Sequence, residues 1–242
     1  YNNFVMGIKC VIAAGGLGTR LQGFRDNDKT KVLLEVNKIP MINQQINQLN
    51  QWGVEEFIII TNPNFNSLIR EVTSKAFPEL IINYSIQDNP RGISHAFSKA
   101  EQYIDTGDTV IFVLGDNFFE NNPLENFHFD NFEDGACIFT TEVNNPEEFG
   151  VADIDSDRNV LSIEEKPTNP KSKAAVVGIY MFDNSVFNKI ETLKPSSRGE
   201  YEVTDLCNIY VNESTCLNLD INGWWIDAGT PERIIELEEK LN

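Results

Sequence analysis

Gly15, Gly16 and Gly18 put three glycines in four positions, and Thr19 and Arg20 follow them. Residues without a Cβ let a backbone turn sharply and come close to a ligand. Successive N–H groups in such a loop form an anion-binding concavity. The planar guanidinium of Arg20 then matches phosphate oxygens. The loop is neither a GxxxxGK[ST] phosphate loop nor a GxGxxG dinucleotide fingerprint. Phosphate chemistry therefore needs support from the rest of the chain.

Several groups could supply it. Asp116, in Leu114-Gly115-Asp116-Asn117, follows an apolar run, where a carboxylate can reach a metal–phosphate complex. The ordinary alternative is a turn aspartate bonded to its own backbone. Asp227 closes Trp224-Trp225-Ile226-Asp227. Its alternative is the capping region of the next helix, although Thr230 is better placed as the cap. Two carboxylates far apart in sequence could complete a Mg²⁺ site, because magnesium takes one or two carboxylates with substrate phosphates and water. In Glu164-Glu165-Lys166-Pro167, Lys166 could reach a substrate phosphate and Glu165 could accept from sugar hydroxyls; otherwise the segment is an exposed strand end. Lys31, in Lys29-Thr30-Lys31, offers a positioned point charge for phosphate, with the choice between Lys29 and Lys31 open. Gln87 offers a donor and an acceptor to a pyrimidine edge. Gly92, five residues on, would let the base pack against backbone; the alternative is a polar turn.

These groups belong to a chain of 242 residues with 41% hydrophobic content, enough for one large domain with a full core. The formal net charge of −18 excludes a nucleic-acid or anionic-membrane surface as the partner. It also means that phosphate substrates would meet a repulsive field, which a few local cations and a divalent metal must overcome. With His95 and His128 as the only histidines, neither a zinc site nor a Ser-His-Asp triad is supported. The cysteines Cys10, Cys137, Cys207 and Cys216 form no CxxC pair and point to a reducing, cytoplasmic compartment. No apolar run approaches the ~20 residues of a membrane span. No signal-peptide pattern precedes Met6, a candidate natural start.

The elements that must position the groups alternate in the first half. Apolar runs predict strands at Ile8–Ala13, Glu56–Thr61, Leu80–Ile86 and Asp108–Leu114. Helical spacing predicts helices over Met41–Leu49, Phe65–Lys75 and Gly92–Tyr103. Repeated β-α-β units imply right-handed crossovers and an open parallel sheet with helices on both faces, where ligands bind at the strands' carboxyl ends. The second half reads as closely spaced strands, at Cys137–Val143, Gly150–Ile154, Val160–Glu164 and Val176–Phe182. Helices at Asn184–Ile190 and Val203–Val211, a strand at Thr215–Leu219 and a helix opened by Pro231 follow. No linker or repeat divides the chain. The reading is one α/β domain over 1–242, a Rossmann-like, mostly parallel sheet with an inserted antiparallel part. Residues 6–143 are mainly nucleotide-binding, 144–230 mainly sugar-phosphate-binding, and 231–242 a closing helix.

Taken together, Gly15-Gly16-Leu17-Gly18-Thr19-Arg20-Leu21, Leu114-Gly115-Asp116-Asn117, Phe149-Gly150-Val151, Glu164-Glu165-Lys166-Pro167, Val177-Gly178-Ile179-Tyr180, Arg198-Gly199-Glu200 and Gly223-Trp224-Trp225-Ile226-Asp227-Ala228-Gly229-Thr230 carry a resemblance. The chain resembles the sugar-1-phosphate nucleotidylyltransferases, and within them the short glucose-1-phosphate thymidylyltransferases. The resemblance implies a nucleotide-diphospho-sugar transferase fold. It implies that Arg20 and Lys31 hold the triphosphate of a nucleotide such as dTTP, which Gly15, Gly16, Gly18 and Thr19 cradle. Gln87 and Gly92 would contact the base, and Asp116 and Asp227 would bind Mg²⁺. Gly150, Glu165, Lys166, Val177, Tyr180 and Arg198 would bind the sugar 1-phosphate. The partners implied are these small molecules, and a homo-oligomer is left open. The chain departs from the family pattern at Gln22-Gly23 and Glu35 and in the length of the Arg20–Lys31 segment. Two alternatives stay open: the same chemistry with UTP or another nucleotide, and a nucleotide-sugar-binding regulatory subunit without turnover.

Overall fold

The structure, a computed structural model, describes residues 7–241 except 17, 22, 25–29, 126, 128–131 and 133 and the side chain of Thr19. Met6, Lys29 and His128 lie outside the described residues. The elements in chain order are β1 (Ile8–Ala13), β2 (Glu35–Val36), β3 (Ile39–Pro40), α1 (Met41–Gln51), β4 (Glu56–Thr61), α2 (Asn66–Ala76), β5 (Ile81–Ile86) and α3 (Ile93–Ser98). Next come β6 (Thr109–Leu114), β7 (Asn117–Phe119), β8 (Ala136–Glu142), β9 (Gly150–Ile154), β10 (Val160–Glu165) and β11 (Ala174–Phe182). The chain closes with α4 (Val186–Thr192), α5 (Val203–Asn212), β12 (Cys216–Asp220), β13 (Trp225–Asp227) and α6 (Pro231–Lys240).

One nine-stranded sheet organises the molecule. Strands β6, β1, β4 and β5 pair in parallel, in that order. Strand β11 joins β6 antiparallel and carries the mixed half, with β8 and β9 against it, β12 parallel to β8 and β10 antiparallel to β9. The near-continuous apolar runs of β1, β4 and β6 arise because both sheet faces are covered. Alternation then divides them. Cys10, Ile12, Phe57, Ile59, Ile111 and Val113 face one core. Val11, Ile58, Ile60, Val110 and Phe112 face the other. Each such fully buried side chain contributes about 2 kcal/mol. A third cluster, with Leu21, Met41, Phe118, Ile226 and Ile234, lies under α6. Among the described residues no helix is long and apolar enough to cross a membrane.

Local chemistry sets the element ends. Gly53, with φ +94, takes the left-handed conformation just past α1. Pro231 opens α6, and the Thr230 hydroxyl accepts from Arg233 N at 3.4 Å. Three features differ from the sequence expectation. The helix expected over Gly92–Tyr103 stops at Ser98. Lys99 N and Ala100 N bond the Ala96 and Phe97 carbonyls three residues back, and a separate 3-10 turn covers Glu101–Tyr103. β2 and β3 form a short hairpin whose turn residues, Asn37 and Lys38, both have positive φ. β7 and β13 form a second ribbon outside the main sheet.

Candidate active site

The carboxyl ends of β1, β4, β5 and β6 are tied to one another by backbone. Ala14 N donates to Ile60 O at 2.8 Å, Gln87 N to Thr61 O at 2.8 Å, and Gly115 N to Ala13 O at 3.0 Å. The Thr30 hydroxyl donates to Gly16 O at 2.9 Å and Asn62 Nδ2 to Gly15 O at 3.2 Å, so the glycine loop is held from two further directions. The loops enclose a cavity of about 460 Å³ lined by Gly15, Gly16, Gly18, Arg20, Lys31, Gln87, Gly92 and Asp116 among others. A second cavity, of about 310 Å³, opens on the side of the antiparallel strands, and Gly150, Glu165, Lys166, Tyr180, Asp227 and Gly178 line it. Both cavities are lined by Arg20, Ile93, Leu114, Asp116 and Gly229, which therefore form the seam between them.

At that seam stand two half-buried carboxyls. The β7–β13 ribbon sets Asn117 opposite Asp227, and Ala228 N donates to Asp116 O at 2.8 Å. This pairing brings the Asp116 and Asp227 side chains within hydrogen-bonding reach of each other. Burial pushes the Asp116 carboxyl up, but Lys31, whose Nζ is ion-paired with its Oδ2, together with hydrogen bonds to Asn117 and Asp227 outweighs burial and holds it below the usual range. For Asp227, burial and then the Asp116 charge raise the carboxyl to about 7, against Lys31 and Arg20. Asp227 Oδ1 is buried without a hydrogen-bond partner among the described residues. An orphaned carboxylate oxygen beside a second carboxylate is a donor set that suits a hard divalent cation. Among the described residues no group of three or more His, Cys, Asp or Glu side chains gathers there. Two aspartates would thus leave most coordination positions to substrate oxygens and water, as magnesium tolerates.

The model of the family described as Nucleotidyl transferase matches residues 9–242. The chain belongs to this family. Among its relatives, the glucose-1-phosphate thymidylyltransferase of Neisseria meningitidis is 36% identical over 241 residues, covering 95% of this chain and 81% of that one. The low-salt glycan biosynthesis nucleotidyltransferase Agl11 of Haloferax volcanii is 32% identical over 96% of this chain, which spans 65% of its length. A Bacillus anthracis structure in complex with a sucrose, named as a candidate glucose-1-phosphate thymidylyltransferase, superposes with a TM-score of 0.88 at 36% identity, covering 98% of this chain and 97% of that one. A UDP-glucose pyrophosphorylase complexed with UDP-glucose shares the fold at 20% identity, with a TM-score of 0.83.

Within this nucleotidyl transferase, most residues singled out from the sequence line the paired cavities. Two do not. Val177 is fully buried in the core, and its neighbours Val176 and Gly178 face the cavity instead, because side chains alternate across a strand. Arg198 lies at the rim, bonded to Glu202 at 2.8 and 3.1 Å and 3.6 Å from Glu165 Oε1. Thr19 belongs to the turn Thr19–Leu21 that carries Arg20. Lys166 has φ +46, a left-handed backbone at the end of β10. Gly92 also has a different reason to be glycine. At φ +99 its Cβ would lie 2.6 Å from Tyr201 O, so it lets the Tyr201 backbone cross.

Sequence reasoning missed Asn117. Its Nδ2 donates to Asp116 Oδ1 at 2.9 Å, and its Oδ1 accepts from Gly178 N at 3.0 Å and from Trp225 Nε1 at 2.7 Å. One amide therefore orients Asp116 and ties β7 to β11 and β13. A Cβ on Gly178 would lie 2.4 Å from Asn117 Oδ1, so the close approach requires glycine. Gln45 on α1 was missed as well. It donates to Leu114 O at 2.6 Å and Asn117 O at 3.0 Å, on either side of Asp116. The adjacency of Asn117 to Asp116 and the tryptophans before Asp227 were the signals available.

Proposed function

We propose that this protein transfers the nucleotidyl group of dTTP to glucose 1-phosphate, forming a nucleotide sugar and releasing pyrophosphate. The observation that carries this reading is the seam. Two cavities of substrate size meet at Arg20 and Asp116, as a reaction joining two phosphorylated substrates requires. The thymidylyltransferases among the relatives support the choice of substrates. In this reading the larger cavity takes the nucleotide and the smaller takes the sugar phosphate.

An oxygen of the sugar phosphate attacks the α-phosphorus in line. The new P–O bond forms as the bond to the β-phosphate oxygen breaks, and pyrophosphate carries away the electron pair. The phosphate monoester is already anionic near neutrality, so no general base is needed. The chain's contribution is positioning and charge neutralisation. Arg20, at the seam, faces the phosphates of both substrates. Lys31 neutralises the triphosphate and keeps Asp116 ionised. Lys166, aimed by its strained backbone, holds the sugar's phosphate, and Glu165 accepts from sugar hydroxyls. Asp116 and Asp227 would hold Mg²⁺, which supplies positive charge between the two anionic substrates when bound.

Pyrophosphate release across a matrix of dTTP, UTP, CTP and GTP against sugar 1-phosphates, with Mg²⁺, tests the proposal. The greatest kcat/KM is expected for dTTP with glucose 1-phosphate. No release with any pair overturns the enzymatic reading. A preference for UTP overturns the choice of base, since one methyl group is worth only about 1–3 kcal/mol in a pocket.

A further inference from the structure

Gln87 lines the larger cavity, yet it is only 7% exposed, and its amide is not free to turn. Its Nε2 donates to Gly92 O at 3.2 Å. A carbonyl oxygen only accepts, so the nitrogen end must face it. The same Nε2 lies 2.9 Å from His95 Nδ1. With both amide hydrogens directed outward from one nitrogen, His95 Nδ1 must be the acceptor, and its ring proton sits on Nε2. Gln87 Oε1 is left on the Gly15 side, 3.5 Å from where a Gly15 Cβ would be. No described group donates to it. The cavity thus presents a fixed acceptor.

We infer that His95 is a positioning residue that decides which end of the Gln87 amide faces the nucleotide base, and that a proton on its Nδ1 reverses the choice. The inference rests on the larger cavity being the nucleotide site. A thymine or uracil ring carries an N3–H donor that complements Oε1. Cytosine carries an acceptor at N3, which Oε1 repels. Protonated His95 would turn a second donor toward Gln87 Nε2. The conflict is relieved by turning the amide, which brings Nε2 to the cavity. Gly92 O resists that turn, because it would then face an oxygen.

The surroundings keep the neutral form in place near pH 7. His95, on α3, shares a cleft with Arg91 from the preceding loop, Lys99 and Glu101 beyond it in sequence, Glu191 from α4 and Tyr201, whose ring centroid is 6.2 Å away. Burial first, then Lys99 and Arg91, push the imidazole below its ordinary range, against a hydrogen bond with the Asn89 backbone.

The test measures KM and kcat for dTTP and dCTP from about pH 8 to about pH 5, bracketing ordinary histidine titration, on the unaltered protein, His95→Asn and His95→Leu. Asparagine Oδ1 replaces the Nδ1 acceptor and does not titrate. The unaltered protein is expected to lose dTTP affinity in acid, with KM rising roughly three- to tenfold for one misdirected hydrogen bond. His95→Asn should hold its KM flat against that change. His95→Leu should raise KM at every pH and reduce dTTP-over-dCTP preference by a similar factor, with kcat changed less than KM. An asparagine variant that tracks the unaltered protein, or a leucine variant within about twofold of it, overturns the inference. Nitrogen-15 spectra of the imidazole and of the Gln87 amide give a readout independent of turnover. The Nε2–H tautomer and a Gln87 amide that shifts with the His95 titration are expected, and a protonated Nδ1 at neutral pH sinks the pairing. An unaltered protein that releases no pyrophosphate from dTTP or UTP overturns the nucleotide reading itself, and the spectra then decide the His95–Gln87 pairing.

Discussion

Two charge clusters, each with a buried polar atom at its centre, sit at opposite ends of the same parallel strands. At the start of β1, Lys9 is 9% exposed in its side chain, and its ammonium donates to Tyr103 O at 2.8 Å and meets Asp105 and Asp108 at 2.9 Å each, with Glu56 at 3.7 Å. At the carboxyl ends, Asp227 is half-buried against a second carboxyl, and its buried Oδ1 has no hydrogen-bond partner among the described residues. The two clusters share a buried polar group at the centre and differ in completeness. An ammonium has three donors, and Lys9 uses them all. Asp227 carries a cost that the fold leaves uncompensated, which is the mark of a site built for something that binds. Completed buried charge holds the sheet together; incomplete buried charge marks where chemistry is done.

Asp227→Asn is the sharpest break of this contrast. It removes a negative charge aimed at the seam without changing side-chain volume. Turnover should fall by at least ~100-fold, the scale of losing one preorganised electrostatic group. The melting temperature should not fall, because burial and Asp116 both oppose the carboxylate form. Turnover like that of the unaltered protein at saturating Mg²⁺ would falsify the metal role of Asp227. Lys9→Met should do the opposite. It leaves Asp108, with a side chain 10% exposed, short of a partner and should cost about 2 kcal/mol of stability in a denaturant titration. Its kcat should be unchanged, and a lowered kcat would show that the two ends are not separable. Asn117→Ala comes next. It frees Asp116 Oδ1, Gly178 N and Trp225 Nε1 at once, so kcat should fall about tenfold, as for other groups that orient a ligand-holding side chain. An unchanged kcat would mean that the ribbon alone aligns Asp116.

The same contrast explains what the sequence made legible. Strands β1, β4 and β6 announce themselves because continuous apolar runs demand cover on both faces, and the loops after them inherit a place at the carboxyl ends. Asp116 and Asp227 could be paired as a hypothesis because both close apolar runs. The ribbon that joins them could not be read. Each strand is three residues long, and they meet only through the fold. Val177 came with the family resemblance, and its side chain turns into the core because β11 is apolar on both faces and its composition does not say which parity meets the cavity. Gln45 and Asn117 acquire most of their bonds from residues more than 60 positions away, and His95 meets Gln87 only because α3 folds back on the loop after β5. The Lys9 cluster was invisible for the same reason: Asp105 and Asp108 are ordinary turn residues until β6 brings them beside β1.

The weakest effect tests the completed cluster by pH. Burial would lower the Lys9 pKa, but bonds to Asp108 and Asp105 and the charges of Asp108 and Glu56 outweigh it, so the value lies above the ordinary 10.5. The sign follows from linkage. A cation whose pKa is raised on folding contributes stability that is fully present below the unfolded value and is lost as pH rises through the folded one. The stability gap between the unaltered protein and Lys9→Met should therefore be constant from neutral pH up to about pH 10 and shrink above it. Denaturant midpoints for both proteins across that range measure the gap. A gap that already closes near neutrality would show that folding does not raise the Lys9 pKa, and would overturn the ion-pair account. A gap that persists in strong alkali would assign it to packing of the lysine stem, because neutral Lys9 would then be worth as much as charged Lys9.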